Sequence, residues 1–380
     1  MNIEAIYIHI PFCVQKCHYC DFISYPLDSF SVKDYCHAVK AEASLYAGEN
    51  SKGDAKIKSI YVGGGTPSCL SLKELAELLN SVRSHFVLAE KVEITVECNP
   101  GTVDRDYFSG LREAGVNRIS LGAQSFDQEL LTLMGRIHNP GDVEKAVIDA
   151  RDAGFENINL DLIYGLPHQS MDQWRESLAR AVSLKVPHIS AYGLKLAKDT
   201  PWGQDYSKGS LALPDPDTSA DMFETVIDYL TDKGYIHYEI SNFALPGNYA
   251  RHNIVYWEND NYLGLGVAAA SHFGALRQIN YQKPDLYISA VGKGIFPVGE
   301  KEIVDKEIEM AETVFLGLRM LQGLDVHRFQ RRFGLSLKDK YGKQVDKMVN
   351  LGLLELTGSR LKLSARGVLL ANEVFMEFLP

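Results

Sequence analysis

The chain has 380 residues, of which 46% are hydrophobic and 23% charged, and it carries a formal net charge of -10 with a pI near 5.6. That composition excludes disordered and collagen-like chains, and the acid excess argues against a general polyanion-binding surface. The length suits one large core with a smaller domain beside it.

The opening segment, Met1 to Ile10, carries Glu4 and has no basic stretch leading into a long apolar one, so it does not read as a secretory signal. The longest apolar run, around Leu263 to Ala270, is far short of the roughly 20 residues needed to span a bilayer. A cytoplasmic location is expected. In that reducing setting the six cysteines are expected to stay unpaired, which points clustered ones toward metal or redox chemistry. Cys36, Cys69 and Cys98 stand apart and read as packing residues.

Short Ile, Val, Leu and Tyr-rich segments predict strands at 5–10, 57–62, 92–97, 117–122, 157–163, 188–194 and 235–240. Between them, helices are predicted near 31–47, 71–86, 104–114, 140–153, 170–184 and 216–233. Ser71 with Glu74 makes a capping box, Asp104 is a cap, and Gly115, Gly154 and Gly234 follow helix ends. Strands alternating with helices over about 240 residues imply an α/β fold on a parallel sheet, either doubly wound or all or part of a βα barrel. The unusual residues help to choose. A cysteine cluster follows the first strand, "GGGTP" (63–67) the second, "ECNP" (97–100) the third and "GAQSF" (122–126) the fourth, while "DLIYGLP" (161–167) ends the fifth. Polar and glycine-rich segments at one strand end after another match a barrel's active face, so a partial or complete barrel is expected. From 298 onward a helix at 306–321, a basic helix pair near 325–350, a hairpin at 353–363 and a helix at 364–378 suggest a winged-helix-like α+β domain. Residues 1–295 and 298–380 are thus the expected domains.

Cys13, Cys17 and Cys20 are spaced C-x3-C-x2-C. Structural zinc normally takes four protein ligands, often from two C-x2-C pairs, and no second pair exists here. Iron–sulfur clusters favour thiolates, and a cubane held by three of them keeps one iron open. A disulfide is the remaining alternative.

The spacing, with an aromatic before the last cysteine, resembles the radical S-adenosylmethionine (SAM) superfamily, in which the open iron of a [4Fe–4S] cluster is chelated by SAM. The wider set "YIHIPFC", "KC-x-YCDF", "GGGTPS", "ECNP", "LGAQSF" and "DLIYGLP", with "GLR" at 317–319 and "ANEVF" at 371–375, resembles the oxygen-independent coproporphyrinogen III oxidase superfamily over nearly the whole chain. That resemblance implies that Cys13, Cys17 and Cys20 hold the cluster and that Tyr7, Gly65 and Glu97 attend its SAM. Tyr19, Thr66, Pro67, Gln124, Arg136 and Asp161 match the positions that hold a second SAM in the decarboxylating enzymes. Taken singly, the glycine run is also a tight turn and each polar residue a solvated strand end.

Two departures point away from the oxidase. Its fourth cysteine, two positions after Cys20, is Phe22 here, and Cys13 is preceded by only twelve residues. Both resemble instead the HemW-type haem chaperone branch, as does "RHNIVYW" at 251–257, whose histidine is implicated in haem binding. Without the family, His252 is an imidazole able to bind iron beside the aromatic Tyr256 and Trp257, or a hydrogen-bonded structural histidine. The expected function is to bind a [4Fe–4S] cluster, SAM and haem and to pass haem to acceptors such as respiratory enzymes. Transient membrane association and a homodimer are compatible with that role.

Two alternatives remain. One is decarboxylation of coproporphyrinogen III, with Arg136 as the main cationic partner for the substrate's carboxylates. The other is DNA binding through Arg328, Arg331, Arg332, Lys338, Lys340, Lys343 and Lys347, a charge run that more often marks a solvated face; no nucleic acid partner is expected.

Overall fold

The computed structural model describes residues 2–50 and 56–380. Six strands, Ala5–Ile10 (β1), Ile57–Gly64 (β2), Leu88–Cys98 (β3), Arg118–Gln124 (β4), Asn157–Tyr164 (β5) and His188–Gly193 (β6), run parallel side by side in chain order. Helices connect them, and the predicted signals act as expected. Ser71 and Glu74 close a reciprocal capping box, Asp104 accepts from the Tyr107 N–H, and Gly115, Gly154 and Gly234 take φ of +82°, +88° and +86° just beyond helix ends.

The sheet does not close. Beyond β6 lie Ile236–Glu239 (β7) and Asn242–Ala244 (β8), β8 antiparallel to β6 and β7 antiparallel to β8, so the strand predicted at 235–240 keeps the direction of the parallel series but stands at the sheet edge, one reversed strand away from β6. At the opposite flank Tyr262–Leu265 (β9) lies parallel to β1, and Ala270–Phe273 (β10), Leu276–Asn280 (β11) and Val298–Ile303 (β12) follow antiparallel. The twelve strands of this sheet run β12-β11-β10-β9-β1-β2-β3-β4-β5-β6-β8-β7, which makes the barrel partial.

Side-chain alternation gives this sheet its meaning. One face of the parallel strands is aliphatic, with Ile6, Ile8, Ile60, Val62, Ile94, Val96, Ile119, Leu121, Leu160 and Leu162 in the main core. The other face is polar: Tyr7, His9, Ser59, Tyr61, Thr95, Glu97, Arg118, Ser120, Asn159, Asp161, His188 and Ser190 share the opposite parity. Most of these are buried, so the interior is lined for recognition rather than filled like an ordinary core.

The helix Arg251–Trp257 seals the end where β2 and β3 begin. Its first backbone N–H groups, of Arg251 and His252, both donate to the Glu93 carboxylate at 3.2 Å, a cap supplied by another strand. Val298–Ile303 still pairs in the main sheet, and a second apolar core begins with the helix Lys306–Arg319. That core gathers Val314, Leu318, Phe329, Phe333, Leu361 and Phe378. Its small sheet joins Leu324–Asp325 (β13) and the hairpin Leu354–Thr357 (β14) with Arg360–Leu363 (β15). The single helix predicted at 364–378 is two, Ala365–Leu369 and Ala371–Met376, because Leu370 leaves helical geometry at φ -111°, ψ 29°. No helix among the described residues is long and apolar enough to cross a membrane.

Candidate functional site

The cysteine loop begins where β1 ends. Phe12–Cys13 pairs with Tyr25–Pro26, which pinches the loop at its base. Its far side is tied down by the His18 N–H to Met134 O at 3.1 Å, Gln15 Nε2 to Gly135 O at 3.1 Å and the Trp202 N–H to His18 O at 3.1 Å. Cys13 and Cys17 are buried and Cys20 is half-buried. Burial first, then the neighbouring Cys17 and Cys13, push the Cys20 thiol up to about 11. The unclustered cysteines behave as packing residues in two cases, Cys36 and Cys98 being buried in the main core, while Cys69 is half-buried beside the loop.

The glycine run serves the loop. A Cβ on Gly64, at φ +118°, would stand 2.6 Å from the His9 ring, and one on Gly65 would stand 2.6 Å from Phe12 O and 3.0 Å from Cys13 Sγ. The Gly65 and Thr66 N–H groups donate to Ile10 O at 2.8 Å and Phe12 O at 2.7 Å, so they tie β2 to the loop and are not free donors for a ligand. Pro67 then opens a short 3-10 turn, Pro67–Cys69.

Three thiols on one clamped loop suit an iron–sulfur cubane. Donors already point at two of them, Thr66 Oγ1 to Cys13 Sγ at 3.6 Å and Arg136 Nη1 to Cys17 Sγ at 3.5 Å. Among the described residues no three His, Cys, Asp or Glu side chains converge as ligands of a single ion.

The remaining expected residues lie around the same mouth. Tyr7 donates to His9 Nδ1 at 2.9 Å, and His9 Nε2 donates to Ile23 O at 2.8 Å. Tyr19 packs on Trp202 with ring centroids 5.8 Å apart, and burial raises its phenol. Glu97 accepts from Tyr61 Oη at 2.8 Å and the Gly64 N–H at 3.1 Å; burial pushes its carboxyl up to about 7, with Asp161 adding to the rise. Gln124 ends β4 in the left-handed region, φ 63°. Gly122 leaves room for it, since a Cβ there would stand 2.9 Å from Gln124 Nε2. Arg136 also donates to Asn99 Oδ1 at 2.9 Å and Gly122 O at 2.8 Å. Asp161 accepts from Ser120 Oγ at 2.8 Å and Asn159 Nδ2 at 2.9 Å, and burial raises it.

His252 is elsewhere, at the sealed end. It is 1% exposed, with Nδ1 3.0 Å from Ser59 Oγ and Nε2 2.8 Å from Tyr256 Oη. Burial, with Arg118 beside it, lowers its imidazole to about 3, so it is neutral at physiological pH. The hydrogen-bonded structural role weighed from sequence therefore describes its resting state. Trp257 turns away from it, under the Arg319 guanidinium at 4.2 Å.

A cavity of about 650 Å³ joins the two regions, running from Asp21, Phe22 and Ile23 of the cysteine loop past Tyr7 and His9 to Tyr256 and Trp257. Sequence reading missed the polar interior network around His188, which donates to Asn159 Oδ1 at 2.6 Å and accepts from Tyr238 Oη at 2.9 Å. It also passed over Arg118, 2% exposed, whose Nε has no partner among the described residues. The alternation of "RISLGAQ" and "NINLDLIY" was the available signal.

The radical SAM superfamily model matches residues 7–181 and the HemN C-terminal domain model residues 304–370. The chain is 37% identical to "Heme chaperone HemW" of Lactococcus lactis over 99% of its own length and 97% of the other. It is 36% identical to "Heme chaperone HemW" of Escherichia coli, over 99% and 98%. Among solved structures, coproporphyrinogen III oxidase (HemN) from Escherichia coli, a radical SAM enzyme, superposes with a TM-score of 0.85 over 99% of this chain and 90% of that one. At 24% identity, that likeness shows the fold alone.

Proposed function

The chain belongs to the HemW haem chaperone family, and from that premise we propose that it binds haem and hands it to acceptor proteins, with a [4Fe–4S] cluster and SAM as resident cofactors. The observation that carries this reading is the cavity of about 650 Å³ between the cysteine loop and the His252 helix. Its size lies in the range that encloses a ligand, and Tyr7, Phe22, Tyr256 and Tyr262 offer aromatic surface to a flat macrocycle.

In this reading Cys13, Cys17 and Cys20 hold the cluster, and Tyr7, Gly65 and Glu97 face its SAM. Tyr19, Thr66, Pro67, Gln124, Arg136 and Asp161 line the rest of the mouth. The cluster supplies an electron source with one open iron. Arg136, donating toward Cys17, steadies thiolate charge there. His252 contributes to haem binding from the sealed end, through the hydrogen bond that fixes Tyr256 in the cavity wall. Acceptors are haem proteins such as respiratory enzymes, reached by a cytoplasmic carrier that visits membranes transiently and that can pair as a homodimer. Residues 1–295, the expected first domain, together with the strand Val298–Ile303 that pairs in their sheet, carry the cofactors and haem, and the unit beside them starts at the helix Lys306–Arg319 and not at the expected 298.

An anaerobic haem titration of cluster-reconstituted chain, followed by absorbance, tests the reading. Saturable binding, weakened about tenfold by His252→Ala (about 1.4 kcal/mol), is expected. A Cys13/Cys17/Cys20→Ala triple variant is expected to lack the cluster's visible absorbance. Absence of saturable binding, with carbon dioxide released from coproporphyrinogen III, would replace the carrier with the decarboxylase.

A further inference from the structure

We propose, resting on the haem-carrier reading, that Arg277 anchors a haem propionate in the cavity, at the end remote from the cysteine loop. Haem carries two carboxylates on one edge, and a cavity that encloses it must offer them donors or leave them to solvent. Among the described residues that line the cavity, Arg277 is the one Lys or Arg and Asp21 the one Asp or Glu. The two histidines on the wall, His9 and His272, are lowered by burial and stay neutral. The positive charge of the wall is therefore concentrated on a single side chain.

Arg277 lies on β11, in register with His272 of β10, which is in register with Tyr262 of β9 and through it with Ala5 of β1. His9, whose Nε2 reaches the loop residue Ile23, is four residues further along β1, about 13 Å at a rise of about 3.3 Å per residue. Charge is thus segregated along the cavity, and a carboxylate is drawn to the Arg277 end and repelled from the Asp21 end. The guanidinium acts on the Tyr262 phenol and the His272 imidazole, both on the cavity wall, which sets the head of the side chain against the cavity as well as its stem. The side chain is 31% exposed.

Glu312, on the helix Lys306–Arg319, already holds this guanidinium, accepting from both Nη1 and Nη2. That pair fixes the fork and leaves donors over. It uses two of the five guanidinium N–H groups. Nε makes no hydrogen bond among the described residues and is not sealed from solvent, so the Nε edge is open to a second carboxylate side-on. Leu316, one turn beyond Glu312 on the same helix, lines the cavity, so this face of the C-terminal unit forms part of the wall. Glu302, in register beside Arg277 on β12, is the other acid that acts on it, and it is exposed, where water and salt screen its charge.

The test titrates the full chain with ferric haem and with its dimethyl ester, which keeps the iron and the macrocycle and removes both carboxylate charges. Wild type is expected to bind haem about tenfold more tightly than the ester. Arg277→Gln should lose that preference with ester affinity unchanged, and Arg277→Lys should keep part of it, since the charge survives and the fork does not. The wild-type comparison stands by itself should neither variant fold. Equal wild-type affinities for the two ligands, a preference that survives in Arg277→Gln, or an equal loss of both ligands there overturns the anchor while leaving the carrier intact. SAM carries a carboxylate too, so its binding to the cluster-reconstituted chain is measured alongside: a fall in Arg277→Gln with haem affinity unmoved would give Arg277 to SAM and overturn the proposal. Binding of neither haem nor ester by the wild type sinks the carrier reading and the anchor with it.

Discussion

Glu42 shows how a single residue joins sequence-distant parts. It is fully buried on the helix Val32–Asn50 and accepts from the Gly266 N–H at 2.8 Å, Asn280 Nδ2 at 2.7 Å and Tyr287 Oη at 2.5 Å. Burial outweighs those donors and pushes its carboxyl up to about 7. The folded chain therefore keeps a proton that the unfolded chain releases near pH 4.5. Its contribution to stability is full below that pH and is lost as pH rises to about 7, by about 3 kcal/mol. Glu42→Gln removes this titration. Urea unfolding across pH 4.5–8 should show the variant gaining about 3 kcal/mol on the wild type between 4.5 and 7, then no more. Parallel curves would mean that the carboxyl stays ionised in the fold.

At the scale of elements, the helix Lys306–Arg319 docks through its last residue. Arg319 stacks on Trp257 at 4.2 Å and stands 3.8 Å from Glu239, which is fully buried and has one carboxylate oxygen without a hydrogen bond among the described residues. Arg319→Ala strands that carboxylate and should cost about 3 kcal/mol, whereas adding Glu239→Gln should recover a third or more in urea unfolding. Equal losses in the single and double variants would assign the effect to the stacking alone. Elements with local signals were legible in sequence: the six parallel strands, the Ser71 box and the glycines after helices. The strands β9 to β12 and the helix Arg251–Trp257 were not. They are short, and their partners lie far along the chain, as with Tyr262 beside Ala5. The site divides similarly. Cysteine spacing and strand-end motifs marked its mouth, since each is a contiguous string. The single exposed-looking polar residues of the interior, such as Asn159 and His188, meet only when the sheet curves.

At the scale of the molecule, charge argues against nucleic acid. Most of the basic residues that raised that possibility are paired with acids: Arg328 with Glu258 and Asp260, Arg332 with Glu309, Lys340 with Glu307 and Lys347 with Glu377. With a net charge of -10, the chain should give no anisotropy change with a fluorescent DNA duplex at low salt, where electrostatic binding is strongest. A salt-sensitive complex would reopen the DNA reading. The place of β1 has a consequence for how the molecule is made. It is an inner strand, and one of its two neighbours, β9, emerges from the ribosome more than 250 residues later. Until then that flank of β1 is an open edge, and the cysteine loop hangs from a strand supported on one side. Cluster insertion on a settled loop therefore belongs after synthesis of the barrel, which makes metal loading a late event in the life of each new chain.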